Sequence, residues 1–229
     1  MAGSDRSSGQ IVFETILSRR SVRSGFTFED VPTDVLENVV RCGLAAPSSK
    51  NAQPWRLHVV ADRSCLAEIA DDMDAASDGD RYVPHDPVTG RPLEGLVSTV
   101  GESAQVLREV SVGIFIENRG PFSGGRELLS SATPQARERA MFGYALEFAG
   151  LGAVVQNLWL AALELGLRGA FMGDVAIAES ELRERLGLTG DLLGVLALGY
   201  AHSAPDEARQ PREPYDGQLV TWRVAGDRA

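Results

Sequence analysis

Residues 46–55 read Ala46-Pro47-Ser48-Ser49-Lys50-Asn51-Ala52-Gln53-Pro54-Trp55. Two prolines fix the backbone near the two ends, and between them stand hydroxyl, ammonium and amide side chains. That set suits the polar edge of a planar heterocycle or a sugar-like chain. Taken alone, its composition is that of an ordinary loop with a Trp anchor. Upstream, Pro32-Thr33-Asp34 introduces a helix through about Leu44, with Thr33 as N-cap, Asp34 in the first turn and Pro47 beyond its end. Further upstream, residues 11–20 place Ile11, Ile16 and Leu17 at helical spacing, and that helix runs into Arg19-Arg20-Ser21-Val22-Arg23. A helix C-terminus attracts cations through its dipole, but three guanidiniums within five residues exceed what a dipole needs. Their mutual repulsion calls for an anion, and arginine forks match phosphate oxygens.

This cluster stands in an acidic chain. Of 229 residues, 44% are hydrophobic and 24% charged, with 22 Lys+Arg against 32 Asp+Glu and a formal net charge of -10. The apolar share supports a packed core rather than a disordered chain. The negative balance argues against a reader of nucleic acid or of an anionic membrane surface. Lys50 is the only lysine, a skew best explained by genomic base composition. Two cysteines are too few for a disulfide framework; Cys42, in an apolar helical pattern, is expected in the core. The polar start MAGSDRSSGQ lacks the apolar run of a signal peptide, and residues 152–167 carry Gln156, Asn157 and Glu164. They read as a buried helix rather than a membrane span. The expectation is a cytoplasmic protein.

Downstream of Trp55, residues 57–61 read as a strand and 66–73 as a short helix. Residues 74–102 are acidic and rich in Gly and Pro, and a loop of that length is usually functional. Residues 111–117 make a second strand, and 118–131 read again as loop. Thr133-Pro134 opens a helical pattern reaching about Leu167, in which Gly143, Gly150 and Gly152 imply a kink or close packing. A short helix follows at 179–186, and the apolar run 192–200 reads as a central strand buried on both faces. Residues 219–224 have strand chemistry beyond an extended arm. One domain is expected over residues 10–229, after a disordered tail at 1–9, with substrate loops at 74–104 and 118–132.

RRSVR followed about two dozen residues later by APSSxNxQPW closely resembles the nitroreductase family of FMN-dependent oxidoreductases. The resemblance continues at Gln156-Asn157-Leu158, Gly173, the LALGY strand end and Arg212-Glu213-Pro214. It implies an α+β fold with a central, mainly antiparallel sheet flanked by helices, and a homodimer that exchanges its C-terminal arm. By the same resemblance Arg19, Ser21 and Arg212 match the residues that bind the FMN phosphate. Arg23 matches the basic residue near the flavin N1–C2=O edge, and Arg20 the variable basic position beside it. Pro47, Ser48, Ser49 and Asn51 match a loop that packs on the flavin held mostly by the other subunit. The backbone around Ala170, Phe171, Met172 and Gly173 matches the segment that approaches flavin N5. Met172 stands where some members have Glu, leaving only its main-chain N–H to donate. Gly150 replaces the family's Gln early in the long helix, and Gln105 and Arg108 are the candidates for the pyrimidine edge.

The resemblance implies FMN as cofactor, NADH or NADPH as reductant, and a nitroaromatic, quinone or other small planar conjugated acceptor. A fixed cation beside N1 and C2=O stabilises negative charge developing there. Two alternatives stand beside this: an oxidase, dehydrogenase or reductive dehalogenase of the same fold, and a non-catalytic flavin-binding protein. Tyr82, Phe122, Phe142 and Phe171 are the aromatics expected around a planar substrate. His58, His85 and His202 lack ligand spacing, so no metal is predicted. His58 is expected to pack on a strand, and Ser123-Gly124-Gly125 to form a flexible turn. The acidic run at Asp71, Asp72 and Asp74 is expected to form a solvated face.

Overall fold

The computed structural model describes residues 8–76 and 82–202. Helix α1 (Ser8–Ser18) leads through an extended segment to α2 (Thr33–Leu44), then to a single 3-10 turn at Ser49–Asn51 and strand β1 (Trp55–Val60). Next come α3 (Arg63–Ala75), α4 (Val100–Glu109), β2 (Val112–Asn118), α5 (Gly125–Ser131) and α6 (Pro134–Glu164). Strand β3 (Arg168–Met172) precedes a 3-10 segment (Asp174–Ala178), α7 (Glu179–Leu186) and β4 (Asp191–Gly199). The sheet order is β1-β2-β4-β3, and every pairing is antiparallel.

The two central strands are apolar on both faces because helices cover both. Val112, Ile114 and Ile116 of β2, with Leu196 and Leu198 of β4, pack with α2 and α6. Their alternates Phe115, Val195 and Ala197 pack with α3, α4 and α7. Local capping follows sequence chemistry. Asp62 accepts the Ser64 and Cys65 amides at the start of α3, and Thr133 accepts Ala136 N with Pro134 in the first turn of α6.

Several expectations are corrected. Thr33 is the first helical residue of α2, preceded by Pro32, and makes no capping bond. Helix α1 reaches back to Ser8, into the stretch read as tail. The loop at 118–132 contains α5, and the loop at 74–104 gives way to α4 from Val100. Residues 168–172, not expected as a strand, form one at the sheet edge, and it contains Ala170, Phe171 and Met172 of the expected flavin-facing backbone. Cys42 is exposed, because the core-facing side of α2 carries Leu36, Val39 and Gly43 instead.

Helix α6 runs unbroken, and two of its glycines mark close packing. A Cβ at Gly143 would sit 2.9 Å from Phe122 Cβ, and one at Gly150 would sit 3.2 Å from Pro54 Cγ and 3.3 Å from Ser48 Cβ. Among the described helices, α6 is long and apolar enough to cross a membrane by length and composition. Its apolar stripe of Leu151, Val154, Leu158 and Ala162 is spent on the core. Arg212 and residues 219–224 lie outside the described residues.

Candidate functional site

The cationic stretch is built where α1 meets the sheet. Arg20 turns back on the helix end, donating from Nη1 to Leu17 O (2.8 Å) and Arg19 O (3.0 Å). The Arg19 guanidinium lies 4.2 Å from the ring centroid of Trp159 on α6. Val22 is buried in the core, and its amide donates to Gly169 O of β3 at 2.9 Å. Phe26 then pairs with Ala201. These anchors hold the segment extended, and alternation turns Ser21 and Arg23 away from the buried Val22. Among the described residues, Arg20 Nε is buried without a partner, and the Arg23 guanidinium makes neither hydrogen bond nor ion pair. Cations fixed by their backbone, with donors left over, fit an anion such as a phosphate group.

The 46–55 loop is held by its own hydroxyl and backbone. Ser48 O accepts Asn51 N, Ser48 Oγ accepts Gln53 N and Ser49 O accepts Ala52 N, all at 3.0 Å. Lys50, Asn51 and Gln53 take positive φ values of 49°, 54° and 45°. Three non-glycine residues in that region within four positions store strain, and such clusters occur where a backbone must present itself to a ligand. The loop leans on α6, and a cavity of about 270 Å³ opens between Pro47, Ser48 and Ser49 on one side and Leu146, Ala149 and Ala153 on the other.

Both motifs thus rest on α6, one at Trp159 and one at Gly150. Nine residues at 1.5 Å rise separate those points by about 14 Å along the axis. The third element is the end of β3. Met172 turns its side chain into the core, and Gly173, just beyond, is exposed.

The family model described as "Nitroreductase family" matches residues 16–200. The chain belongs to the nitroreductase family. It is 27% identical over 221 residues to an NADH dehydrogenase from Thermus thermophilus, covering 90% of this chain and 93% of that protein. Solved structures share the fold, among them these two. A BluB-like flavoprotein from Clostridium difficile has a TM-score of 0.66 at 22% identity, covering 93% of this chain and 99% of that one. A nitroreductase from Desulfitobacterium hafniense with bound FMN has a TM-score of 0.62 at 19% identity, covering 93% and 98%.

In this nitroreductase-family chain the four aromatic candidates do not form one cluster. Tyr82 packs against the core beside α3 and α4, whereas Phe171 packs on the α6 side of the sheet. Phe122 lies against Gly143 of α6 and is partly exposed, and Phe142 is exposed on the same helix. Gln105 donates to Glu109, and Arg108 is held between Asp71 and Asp74, each at 2.7 Å. Asp72 pairs with Arg185 at 2.9 Å. The acidic run is thus a solvated face at Asp71 and Asp74, as expected, and its carboxylates also pair with Arg108 and Arg185. His58 packs on β1, where its Nε2 lies 2.7 Å from Glu117 Oε2. Among the described residues no group of His, Cys, Asp or Glu is arranged to hold a metal.

Sequence reasoning overlooked a buried polar network beneath the 118–125 turn. Glu147 of α6 is fully buried and accepts four hydrogen bonds: Phe122 N (2.6 Å), Ser123 N (2.8 Å), Ser123 Oγ (2.7 Å) and Asn118 Nδ2 (2.9 Å). The turn at 123–125, expected to be flexible, is pinned by these bonds. Glu117, also fully buried, takes Thr189 N (3.0 Å), Thr189 Oγ1 (3.0 Å) and Gly190 N (2.6 Å) besides His58. Burial pushes both carboxyls up, but their hydrogen bonds outweigh it, so both titrate below the ordinary glutamate range. Burial, with the Asp191 carboxylate nearby, pushes the Tyr144 phenol up to about 12, so it stays a neutral donor. One signal was available. Glu147 falls in register with Leu151, Val154, Leu158 and Ala162, so a charge stood on the core stripe of an apolar helix.

Proposed function

We propose that the chain is an FMN-dependent NAD(P)H oxidoreductase acting on a nitroaromatic, quinone or other small conjugated acceptor by a ping-pong sequence. The observation that carries this reading is the cationic stretch, docked on β3 and left with unused donors, inside a family match spanning residues 16–200. When bound, FMN would supply the hydride chemistry, at N5, between a reduced nicotinamide and the acceptor. Arg19 and Ser21, with Arg212, would hold the phosphate, with Arg20 as the variable basic position beside them. Arg23 places positive charge beside N1 and C2=O, where negative charge develops. The exposed Gly173 allows backbone to approach N5 without a side chain between. No side chain of the chain is assigned as a catalytic acid, since the transferred hydride needs none.

Membership of the family supports a homodimer in which Pro47, Ser48, Ser49 and Asn51 close the site of the partner. The setting is cytoplasmic, and neither nucleic acid nor a membrane is a partner.

Anaerobic mixing of the FMN-loaded protein with NADH and with NADPH tests the reading. Loss of the oxidised flavin absorbance with either supports it. Reduction only by an organic donor substrate would replace it with an oxidase or dehydrogenase, and no redox response at all would leave a flavin-binding protein. A monomer that retains FMN in a solution mass measurement would overturn the shared site.

A further inference from the structure

Residues 82–99 leave the core and return to it, and both ends of that excursion are tied to the same short segment. The Tyr82 hydroxyl donates to Ala176 O at 2.7 Å. At the other end Thr99 Oγ1 and Ser103 Oγ, the latter at 3.0 Å, both donate to Asp174 Oδ2. Asp174 and Ala176 belong to the 3-10 segment that directly follows Gly173, and its Val175 and Ala178 side chains are fully buried. The segment is therefore the rigid partner. Between its ends the loop is organised internally: Asp86 Oδ1 accepts the Val88 and Thr89 amides, Asp86 N donates to Arg91 O and Leu93 N to Pro84 O. Its tip is open to solvent, with Val88 90% exposed, and the returning limb is exposed as far as Val97, at 80%. A loop ordered within itself and, among the described residues, hydrogen-bonded to the rest of the fold at its base moves as a unit about that base.

We propose that Asp174 is a positioning residue, which fastens the 82–99 loop to the end of β3 so that the loop's placement over the acceptor and the position of the Gly173 backbone are set together. This rests on the reading of Gly173 as the backbone beside flavin N5. Two hydroxyl bonds to one carboxylate oxygen are charge-assisted, and asparagine keeps an oxygen acceptor at the same place while alanine keeps none.

The test uses the full-length FMN-loaded protein with NADH as reductant and menadione as a planar acceptor. Asp174→Ala is expected to raise the menadione KM at least fivefold, with a smaller change in kcat and unchanged FMN stoichiometry. Asp174→Asn is expected to stay within twofold of the parent. Hydrogen exchange, which needs no activity, is expected to quicken at least fivefold in residues 84–99 and in 168–176 together. Exchange that quickens in only one of the two regions, a menadione KM within twofold, or loss of FMN from Asp174→Ala would each overturn the proposal. If Asp174→Ala does not fold, the double variant Thr99→Val with Ser103→Ala is judged by the same criteria. A parent protein that binds no FMN overturns the functional reading, and the exchange measurement then still decides whether Asp174 couples loop and strand.

Discussion

The two halves of α6 carry opposite electrostatic arrangements. In the N-terminal half the buried Glu147 meets four donors from the chain itself. In the C-terminal half, Trp159 receives Arg19 from a stretch in which Arg20 Nε and the Arg23 guanidinium have no partner among the described residues. A charge whose hydrogen bonds are complete within the fold contributes to the fold. A guanidinium that no described residue pairs, such as that of Arg23, is available to something the chain binds.

The largest test of this contrast is Glu147→Ala. It strands buried donors in a desolvated site, and the expected loss is about 3–5 kcal/mol of stability, read from the denaturant midpoint. The same carboxylate has a pH signature. Its folded pKa lies below the ordinary value of 4.5, so its contribution is present above that value and is lost as pH falls through the lowered folded one. Acid unfolding beginning below about pH 4.5 in the parent, and weakened in Glu147→Gln, is the expected result. Equal acid sensitivity in the two proteins would break the comparison from the structural side.

On the other side of the contrast, Arg19→Ala is expected to weaken FMN binding about 10- to 100-fold, as loss of a charge-assisted phosphate contact does, with a smaller loss of about 0.5–2 kcal/mol in the flavin-free protein from the lost stacking on Trp159. Stoichiometric flavin in that variant would remove the phosphate assignment. Gly150→Ala probes the 46–55 loop. Its new methyl meets Pro54 and Ser48 at 3.2–3.3 Å and must displace them by a few tenths of an ångström, so flavin retention is expected to fall severalfold while the helix persists. The smallest effect is expected at Lys50, exposed at φ 49° with no side-chain hydrogen bond. Lys50→Gly relieves left-handed strain against a larger unfolded-state entropy, for a net gain of about 0.5 kcal/mol, a rise of roughly 1–2 °C in Tm.

Some of this was legible in the chain. The run at 192–200 read as a doubly buried strand because continuous apolar sequence has no other stable place, and Thr133-Pro134 marked the start of α6 through capping chemistry. Residues 168–172 escaped notice because RGAFM shows no alternation: the strand exists only because β4 offers it a ladder. Helix α5 was missed for a related reason, since its glycine-rich entry is held by the buried Glu147 and by Arg126 N donating to Asp191 at 2.8 Å. Cys42 misled because its apolar neighbours in α2 belong to two faces, of which only one meets α6.

The sequence by itself determined what local rules govern: the capped helices, the apolar central strands, the arginine cluster and the Pro-bounded loop, and through their spacing the family. Tertiary structure alone decided which charges are satisfied. That Glu147 is closed by the 118–123 turn and that Arg23 has no partner among the described residues depend on which segments the sheet brings together, and hydrogen bonding between residues distant in the chain leaves no mark in periodicity or composition.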